Sequence, residues 1–454
     1  MVDSRHFRLL TLFLGLTLAS SASADEGAIA VELDRYLSAV SKTTTFSGSV
    51  LVAKDGEILV RAGYGLASRE LDVPNTAATR YRIGSLTKTF SALGILQLCD
   101  KGALSLVDPL SKFLPKFPRG DQISVEHLLN HTSGLPPSWR EDWHEKRQLD
   151  LAEVIDLFKD SPPVAPPGQE EHYSNPGYAV LARIIEVVSG LTYDVYMQKH
   201  VFDPVGMKST GTDYPNRITT GRAQGYVIGM DEDGMAAINN AAYLYLPSLM
   251  GQASMISSID DLHRYDQSLR AGEIAKGACR SQLFAVKEPS EFTLGSWWVE
   301  ENTPLGPLIY FSGISSGFES VMYRYSAAVI VVLANHQSAN VFDIADNLTA
   351  ILAGRGYHLP KVRSAVKLDP ELSTQYAGEY EFESGEGFQI LSLNGRLFVE
   401  SHGDPPEEIF PANGGEFFSR LHDLQIRFAL DTDHKVEGAL WTYRGEQVKA
   451  RKID

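Results

Sequence analysis

A serine and a lysine three residues apart, Ser85 and Lys88, open an apolar segment of the chain. Side chains at this spacing share one face of a helix, so the Lys88 amine can reach the Ser85 hydroxyl. In a desolvated pocket a lysine loses its charge and can accept the serine proton, which makes the serine a nucleophile. The alternative is an N-cap serine beside a solvated lysine. The same spacing recurs at Ser364 and Lys367, in a polar segment that favours a chance match.

Tyr173 and Asn175 form a second candidate group, in a Pro- and Gly-rich loop just before a helical pattern. A phenol near a lysine amine can have a lowered pKa and can relay protons to a leaving group. The amide of Asn175 can donate a hydrogen bond to a substrate carbonyl. The alternative is a simple turn, which the sequence Asn-Pro-Gly also favours.

A third candidate group is a run of small residues that leads into a strand pattern. Small side chains here let a substrate lie against the edge of a strand. The residues are Phe311, Ser312, Gly313 and Ile314. The segment 313–317 also matches Gly-x-Ser-x-Gly, but that nucleophile motif must lead into a helix. The residues that follow alternate like a strand, so we do not interpret Ser315 as a nucleophile.

The elements around these residues predict an α/β domain. Two β-rich runs flank Asp55-Gly56, which is a strong hairpin signal. Helical patterns cover 85–102, 179–189 and 341–352, and residues 318–334 return to strand. Strands at both ends of a long helical middle predict one sheet built from N- and C-terminal segments, with the helices between them.

The C-terminal part of the chain has a different secondary-structure pattern. We expect the α/β domain to occupy residues 25–357 and a polar linker to follow at 358–373. From 374 to 454 every element resembles a short strand, and Asn394-Gly395 marks a hairpin. This region predicts an antiparallel β-sandwich or small barrel with no chemical constellation of its own.

Composition and the N-terminus bear on the compartment and the partners. With 41 Lys+Arg and 57 Asp+Glu, the formal charge is −16, which argues against a nucleic-acid partner. Residues 1–24 resemble a secretory signal peptide, with an apolar run at 9–19 and Ala22-Ser23-Ala24 as the cleavage site. No later stretch is long and apolar enough to span a membrane. We therefore expect a periplasmic or secreted protein whose partner is a small-molecule or peptide substrate.

Cysteine and histidine usage predicts neither a metal nor a firm disulfide. Cys99 and Cys279 are the two cysteines. An exported protein can bridge them, but Cys99 lies in an apolar run where a free thiol commonly packs, and we favour unpaired cysteines. His127 and His131 are four residues apart with leucines between them, which favours a packed helix end over a zinc site. The sequence implies no metal and no organic cofactor.

Four segments together resemble the serine β-lactamase-like superfamily, closest to its branch of class C β-lactamases, D-peptidases and esterases. They are Arg82–Lys88, Leu128–Pro136, Tyr173–Tyr178 and Phe202–Met207, in the order and approximate spacing of that family. The resemblance covers about residues 40–355, and the C-terminal region looks like the β-barrel appended to many of its members. It implies a sandwich of an antiparallel sheet with helices and a helical insert.

The resemblance also implies a mechanism. Ser85 would form an acyl-enzyme, Lys88 would accept its proton, and Tyr173 would act as general base and acid. Asn175 would hold the substrate amide. The backbone N–H groups of Ser85 and Ile314 would form the oxyanion hole.

One position departs from the family pattern, in which the third motif begins with lysine or histidine. Phe311 stands there, and it cannot contact a substrate carboxylate. We therefore expect a neutral ester, an amide or a D-amino-acid peptide as substrate, with Trp297 and Trp298 as candidates for an apolar acyl pocket or for ordinary packing. The alternatives are a peptidoglycan D-Ala-D-Ala carboxypeptidase, a class C-like β-lactamase, or a non-catalytic protein that binds or senses the cell wall.

Overall fold

The structure is a computed structural model, and it describes residues 26–138, 149–274, 277–368, 370–401, 405–433 and 435–453. The predicted signal peptide, residues 1–24, lies outside the described residues. Within them the α-helices are α1 Glu26–Thr43, α2 Thr87–Asp100, α3 Val125–Leu129, α4 Leu151–Phe158, α5 Asn175–Ser189, α6 Tyr193–Met197, α7 Ile259–Ala271, α8 Val341–Leu352 and α9 Pro370–Tyr376. None of these helices has the length and apolar character needed to cross a membrane.

The strands fall into an N-terminal group, a middle group and a C-terminal group. The first thirteen are β1 Gly48–Lys54, β2 Glu57–Tyr64, β3 Leu66–Ser68, β4 Val73–Pro74, β5 Tyr81–Arg82, β6 Gly211–Thr212, β7 Tyr226–Met230, β8 Ala236–Asn240, β9 Met255–Ser257, β10 Trp298–Glu300, β11 Leu308–Ser315, β12 Phe318–Arg324 and β13 Ala328–Ala334. The last eight are β14 Gly378–Phe382, β15 Gly387–Leu393, β16 Arg396–Ser401, β17 Glu407–Pro411, β18 Glu416–Ser419, β19 Leu424–Leu430, β20 Val436–Tyr443 and β21 Glu446–Lys452.

The main sheet has six antiparallel strands in the order β10-β11-β12-β13-β1-β2. Strand β1 lies beside β13, with Val50 opposite Val332, so the sheet is assembled from distant segments as the sequence predicts. The predicted hairpin turns at Asp55 and Gly56, whose φ angles are 51° and 90°. One face of the sheet packs on α1 and α8. The other face packs on a helical layer that includes α2, α5 and α7.

Helix α5 begins earlier than its apolar pattern predicts. Ser174 is the N-cap, and its side chain accepts a hydrogen bond from the backbone N–H of Gly177. Pro176 lies in the first turn, where its missing N–H costs no intrahelical bond. Gly190 ends the helix in the left-handed conformation, as the sequence predicts. The cap therefore fixes the loop that carries Tyr173 against the body of the helical layer.

The expectation of unpaired cysteines is wrong, because Cys99 and Cys279 form a disulfide. Cys99 lies in the last turn of α2, and the chain after α7 returns to that helix end. The backbone N–H of Cys279 donates to the carboxylate of Asp100 at 2.8 Å, which holds the returning segment in place. The two cysteines are 180 residues apart, so no local pattern signals their proximity.

The C-terminal strands β14–β21 form a closed barrel, which decides between the two β architectures that the sequence allows. Strand β14 pairs with β21 and closes the ring. Asn394 and Gly395 form the predicted hairpin turn between β15 and β16, with φ angles of 52° and 73°. Aromatic side chains fill the interior, among them Tyr380 stacked on Phe388 at 5.0 Å.

The barrel has several contacts with the rest of the chain. The backbone N–H of Ala236, on hairpin β7–β8, donates to the carbonyl of Pro406 at 2.9 Å. Arg444 of the barrel forms an ion pair with Asp343 of α8, and His358, at the start of the linker, pairs with Asp423 at 2.6 Å. A cavity of about 730 Å³ lies between α8 and the barrel.

Candidate active site

The structure brings Ser85 and Lys88 together at the start of helix α2. A short 3₁₀ turn, Gly84–Leu86, leads into the helix. It presents the Ser85 side chain to Lys88, whose Nζ lies 3.0 Å from Ser85 Oγ. Ser85 is half-buried, whereas Lys88 has no exposed surface. The Lys88 amine also donates to the carbonyl of Gln252 at 3.0 Å.

Burial lowers the pKa of the Lys88 amine well below its ordinary value. Removing an ammonium group from water disfavours its charged form. In the part of the chain that the structure describes, no salt bridge joins Lys88 to a carboxylate that would restore the charge. A lysine whose neutral form is favoured, 3.0 Å from Ser85 Oγ, has the arrangement that proton abstraction from serine requires.

Tyr173 contacts the same oxygen. Its hydroxyl donates to Ser85 Oγ at 2.9 Å, and its ring lies 4.9 Å from Lys88 Nζ. Burial raises the pKa of the Tyr173 phenol, and the bond to Ser85 offsets only part of that effect. The expectation of a lowered pKa is therefore wrong for the resting site. The reason is that burial disfavours the charged phenolate more than the contact with Ser85 favours it.

His131 is a site residue that our sequence analysis weighed only as a metal ligand. Its ring packs 4.5 Å from the Tyr173 ring. Its Nδ1 accepts a hydrogen bond from the backbone N–H of Ser174 at 3.1 Å. Burial, together with the nearby Lys88, lowers its pKa well below the ordinary value, so the imidazole is neutral. Its place in the segment Leu128–Pro136 was the sequence signal that could have identified it as a site residue. Its hydrogen bond with Ser174 orients the loop that carries Tyr173.

His127 is unconnected with this chemistry. Its Nδ1 accepts a hydrogen bond from the backbone N–H of Ser124, and Ser124 Oγ accepts from the backbone N–H of His127. This reciprocal pair caps helix α3. The described ranges hold no group of three or more His, Cys, Asp or Glu side chains that could bind a metal ion.

Strand β11 packs directly against the turn that carries Ser85. A Cβ atom added to Gly313 would lie 2.0 Å from the carbonyl oxygen of Ile83 and 2.7 Å from the backbone nitrogen of Ser85. A Cβ added to Gly84 would lie 2.7 Å from the backbone nitrogen of Ile314. Glycine is therefore required on both sides of this contact. The close contact between the two backbones brings the nitrogen of Ser85 near the nitrogen of Ile314. Two backbone N–H donors that stabilise one oxyanion need this proximity.

The position that the family fills with a cation is an apolar wall here. Phe311 is 3% exposed and packs edge-on against Phe292, with ring centroids 6.2 Å apart. Phe292 in turn lies 5.7 Å from the Tyr173 ring. Trp298 packs on Phe292 at 3.9 Å, whereas Trp297 is fully buried and stacks on Tyr265. Of the two tryptophans, only Trp298 therefore belongs to the wall of the site.

The remaining predicted residues are described by the element that carries each of them. Asn175 is half-buried in the first turn of α5, two residues after Tyr173, and Ser312 is half-buried on β11. Ser315 ends β11 and leads through a tight turn into β12, so the Gly-x-Ser-x-Gly match is not a nucleophile elbow. Ser364 is exposed and lies outside any helix, which confirms a chance match.

Comparison with known proteins places this fold and site in a family. The sequence model of the family described as Beta-lactamase matches residues 33–355, and the chain belongs to that family. A relative from Bacillus subtilis (strain 168), penicillin-binding protein 4*, is 30% identical over 412 residues. That alignment covers 86% of this chain and 91% of the relative.

Solved structures show the same fold. The octameric penicillin-binding protein homologue from Pyrococcus abyssi has a TM-score of 0.64 at 23% identity. It covers 94% of this chain and 100% of its own, so the likeness includes the barrel. The D-amino acid amidase from Ochrobactrum anthropi SV3 has a TM-score of 0.63 at 21% identity, over 71% of this chain and 99% of its own.

Proposed function

We propose that this chain is an exported serine hydrolase that forms an acyl-enzyme on Ser85. One observation carries the proposal: Ser85 Oγ lies between Lys88 Nζ at 3.0 Å and the Tyr173 hydroxyl at 2.9 Å. A base and an acid therefore contact the same nucleophilic oxygen within hydrogen-bond distance. The substrate is an ester, an amide or a D-amino-acid peptide.

Acylation follows from the protonation states of the resting site. Ser85 Oγ attacks the substrate carbonyl, and its proton passes to the neutral Lys88 amine. The carbonyl oxygen becomes an oxyanion between the backbone N–H groups of Ser85 and Ile314. When the tetrahedral intermediate collapses, the bond to the leaving group breaks and Tyr173 donates its proton to that group. The Lys88 ammonium then returns a proton to the phenolate, and both groups regain their resting states.

Deacylation runs through the same groups. A water molecule attacks the acyl carbon, and Tyr173 takes a proton from the water as its own proton passes to Lys88. The bond between the acyl carbon and Ser85 Oγ then breaks, and the serine oxygen regains a proton from the Lys88–Tyr173 pair. Asn175 holds the amide of the acyl group when the substrate is a peptide.

The apolar wall around Phe311 favours leaving groups without a carboxylate. A charge-assisted hydrogen bond to a carboxylate contributes about 1.5–3 kcal/mol, and a phenylalanine cannot supply it. This supports esters and amides over the carboxylate-bearing substrates of D-Ala-D-Ala carboxypeptidases and β-lactamases. Because this chain is similar to a relative named penicillin-binding protein 4*, those two activities are the second candidate function.

The test is covalent labelling with a fluorophosphonate, followed by intact mass measurement of the wild type and of Ser85→Ala. We expect a single adduct on the wild type and none on the variant. Turnover of a p-nitrophenyl ester and of nitrocefin, measured on the same samples, then separates esterase from β-lactamase activity. A wild type with no adduct and no turnover would refute the hydrolase and leave the non-catalytic wall-binding alternative.

The export part of the proposal has its own test. Expression of the full chain in a Gram-negative host, followed by fractionation and N-terminal sequencing, should place the protein outside the cytoplasm and give Asp25 as its first residue. A cytoplasmic protein that retains residues 1–24 would contradict it.

A further inference from the structure

A second cavity lies at the end of β11 away from Phe311. It has a volume of about 240 Å³ and is lined by Arg82, Arg222, Tyr243, Ser316 and Phe318, among others. We call it the acyl-side pocket. Ser316 is two residues past Ile314, and Arg82 is three residues before Ser85. Short stretches of backbone therefore connect the pocket to the nucleophile and to Ile314.

The acyl-side pocket carries an excess positive charge. Arg82 Nε lies 3.0 Å from one oxygen of Asp213, and Arg222 Nη1 lies 2.7 Å from the other. Two guanidinium groups thus share one carboxylate, whose side chain is 1% exposed. Among the described residues that line the pocket, none is acidic. One unit of positive charge is therefore left to face the cavity.

The two arginines are held in different ways. The Arg82 side chain is only 15% exposed, and its guanidinium lies over the Phe318 ring at 5.6 Å. The Arg222 side chain is 34% exposed and can adjust to a ligand. A planar guanidinium presents five N–H donors, and the contacts to Asp213 use only part of them. The remaining donors suit a carboxylate or another small anion.

The position of Tyr173 tells which half of the substrate would reach this pocket. The leaving group must face Tyr173, which contacts Phe292, and Phe292 contacts Phe311. The leaving group therefore lies toward the apolar wall. Ser316 lies toward the opposite end of β11, past the oxyanion position, so the acyl half extends toward the two arginines.

We propose that the acyl-side pocket binds a carboxylate, or a comparable small anion, on the acyl half of the substrate. The proposal rests on the proposed function, because it assigns the two halves of the substrate from the acyl-enzyme on Ser85. Sites for drug-sized ligands hold about 300–1,000 Å³, so this cavity fits a short acid chain. The preferred substrate is then neutral in its leaving group and anionic in its acyl group.

Two p-nitrophenyl esters of equal length test the proposal: the valerate, and the monoester of glutaric acid. The Ser85→Ala variant supplies the blank for spontaneous hydrolysis. We expect wild type to prefer the glutarate by kcat/KM, and Arg222→Gln to lower the glutarate-to-valerate ratio about tenfold. Arg217→Gln is the matched control, because Arg217 lies outside the pocket lining and over Tyr214. It should keep the wild-type ratio.

The outcomes separate this inference from the proposed function. If both esters are hydrolysed but Arg222→Gln keeps the wild-type ratio, or Arg217→Gln lowers it as much, the pocket assignment is wrong and the hydrolase stands. If neither ester is hydrolysed, calorimetric titration of Ser85→Ala with glutaric acid mono-anilide and valeric anilide tests the pocket without turnover. Tighter binding of the acid, weakened by Arg222→Gln, supports the anion site, and equal binding of the two anilides overturns it.

Discussion

Replacing Phe311 with histidine restores a cation donor at the position where the family pattern has one. Phe311 is 3% exposed and packs on Phe292. The smaller ring leaves part of that space empty, so we expect Phe311→His to lower the free energy of unfolding by about 1–3 kcal/mol. In return, a protonated imidazole can donate to a carboxylate on the leaving group. That contact contributes about 1.5–3 kcal/mol, which corresponds to roughly 10- to 150-fold in kcat/KM.

The gain should depend on pH. Burial lowers the pKa of His131, and it should act in the same direction on a histidine at the buried position 311, whereas a substrate carboxylate acts in the opposite direction. We therefore expect no gain at pH 8 and a gain that grows as the pH falls toward 5. Protonation of Lys88 also lowers activity as the pH falls, because its pKa is depressed and only the neutral amine accepts the serine proton. A ratio between two substrates cancels that common loss.

The assay uses a thioester whose leaving group is thioglycolate, compared with the same thioester carrying the methyl amide of thioglycolate. Released thiol is measured with a disulfide reagent, which the protein does not disturb because it has no free cysteine. Phe311→Leu is the matched control, since it also shrinks the side chain but adds no charge. A ratio that stays unchanged from pH 8 to pH 5 in a folded Phe311→His would refute the assignment of this position to the leaving group.

Three further variants each test one contact. Tyr173→Phe keeps the ring but loses the hydroxyl at Ser85 Oγ, so kcat for an ester should fall about 10²- to 10⁴-fold while the free energy of unfolding changes by only about 1 kcal/mol. Gly313→Ala places a methyl group on the turn that carries the nucleophile, and we expect kcat/KM to fall by about 10²-fold. Replacing Cys99 and Cys279 with serine should lower the free energy of unfolding by about 2–5 kcal/mol, measured with denaturant, because the disulfide closes a long loop.

Each of these has a matched control in the chain. Tyr178→Phe removes a buried hydroxyl that donates to the carbonyl of Leu129, and it should keep near-wild-type turnover. Gly356→Ala adds a methyl group into open space, so activity should not change. Reductant should destabilise the wild type and leave the double serine variant unaffected. Equal losses in a variant and its control would mean that general destabilisation, not the named contact, explains the result.

Local signals in the sequence were enough to predict most elements near the site. Asp55-Gly56 marked the first hairpin, and Gly190 marked the end of α5, because both turns need backbone angles that few residues adopt. The pairing of β1 with β13 followed from the general rule that strands at both ends of a helical middle share one sheet. The spacing of Ser85 and Lys88 likewise predicted their contact.

Features that depend on distant segments were not predictable. The disulfide joins residues 180 positions apart, and the apolar run around Cys99 did not indicate which residue it pairs with. The direction of the Tyr173 pKa shift was predicted wrongly because it depends on the burial of both Tyr173 and Lys88, which only the folded site shows. The contact of His131 with Tyr173 was missed for the same reason.

The same burial explains why a phenylalanine is tolerated at position 311. Burial lowers the pKa of both Lys88 and His131, so positive charge is disfavoured in the part of the site beside Tyr173. A further cation there would lower the pKa of Lys88 still more and would need its own carboxylate partner in the substrate. The excess charge lies instead at Arg82 and Arg222, which share the buried carboxylate of Asp213. This arrangement leaves the proposed anion contact to the acyl half of the substrate and keeps the leaving-group half apolar.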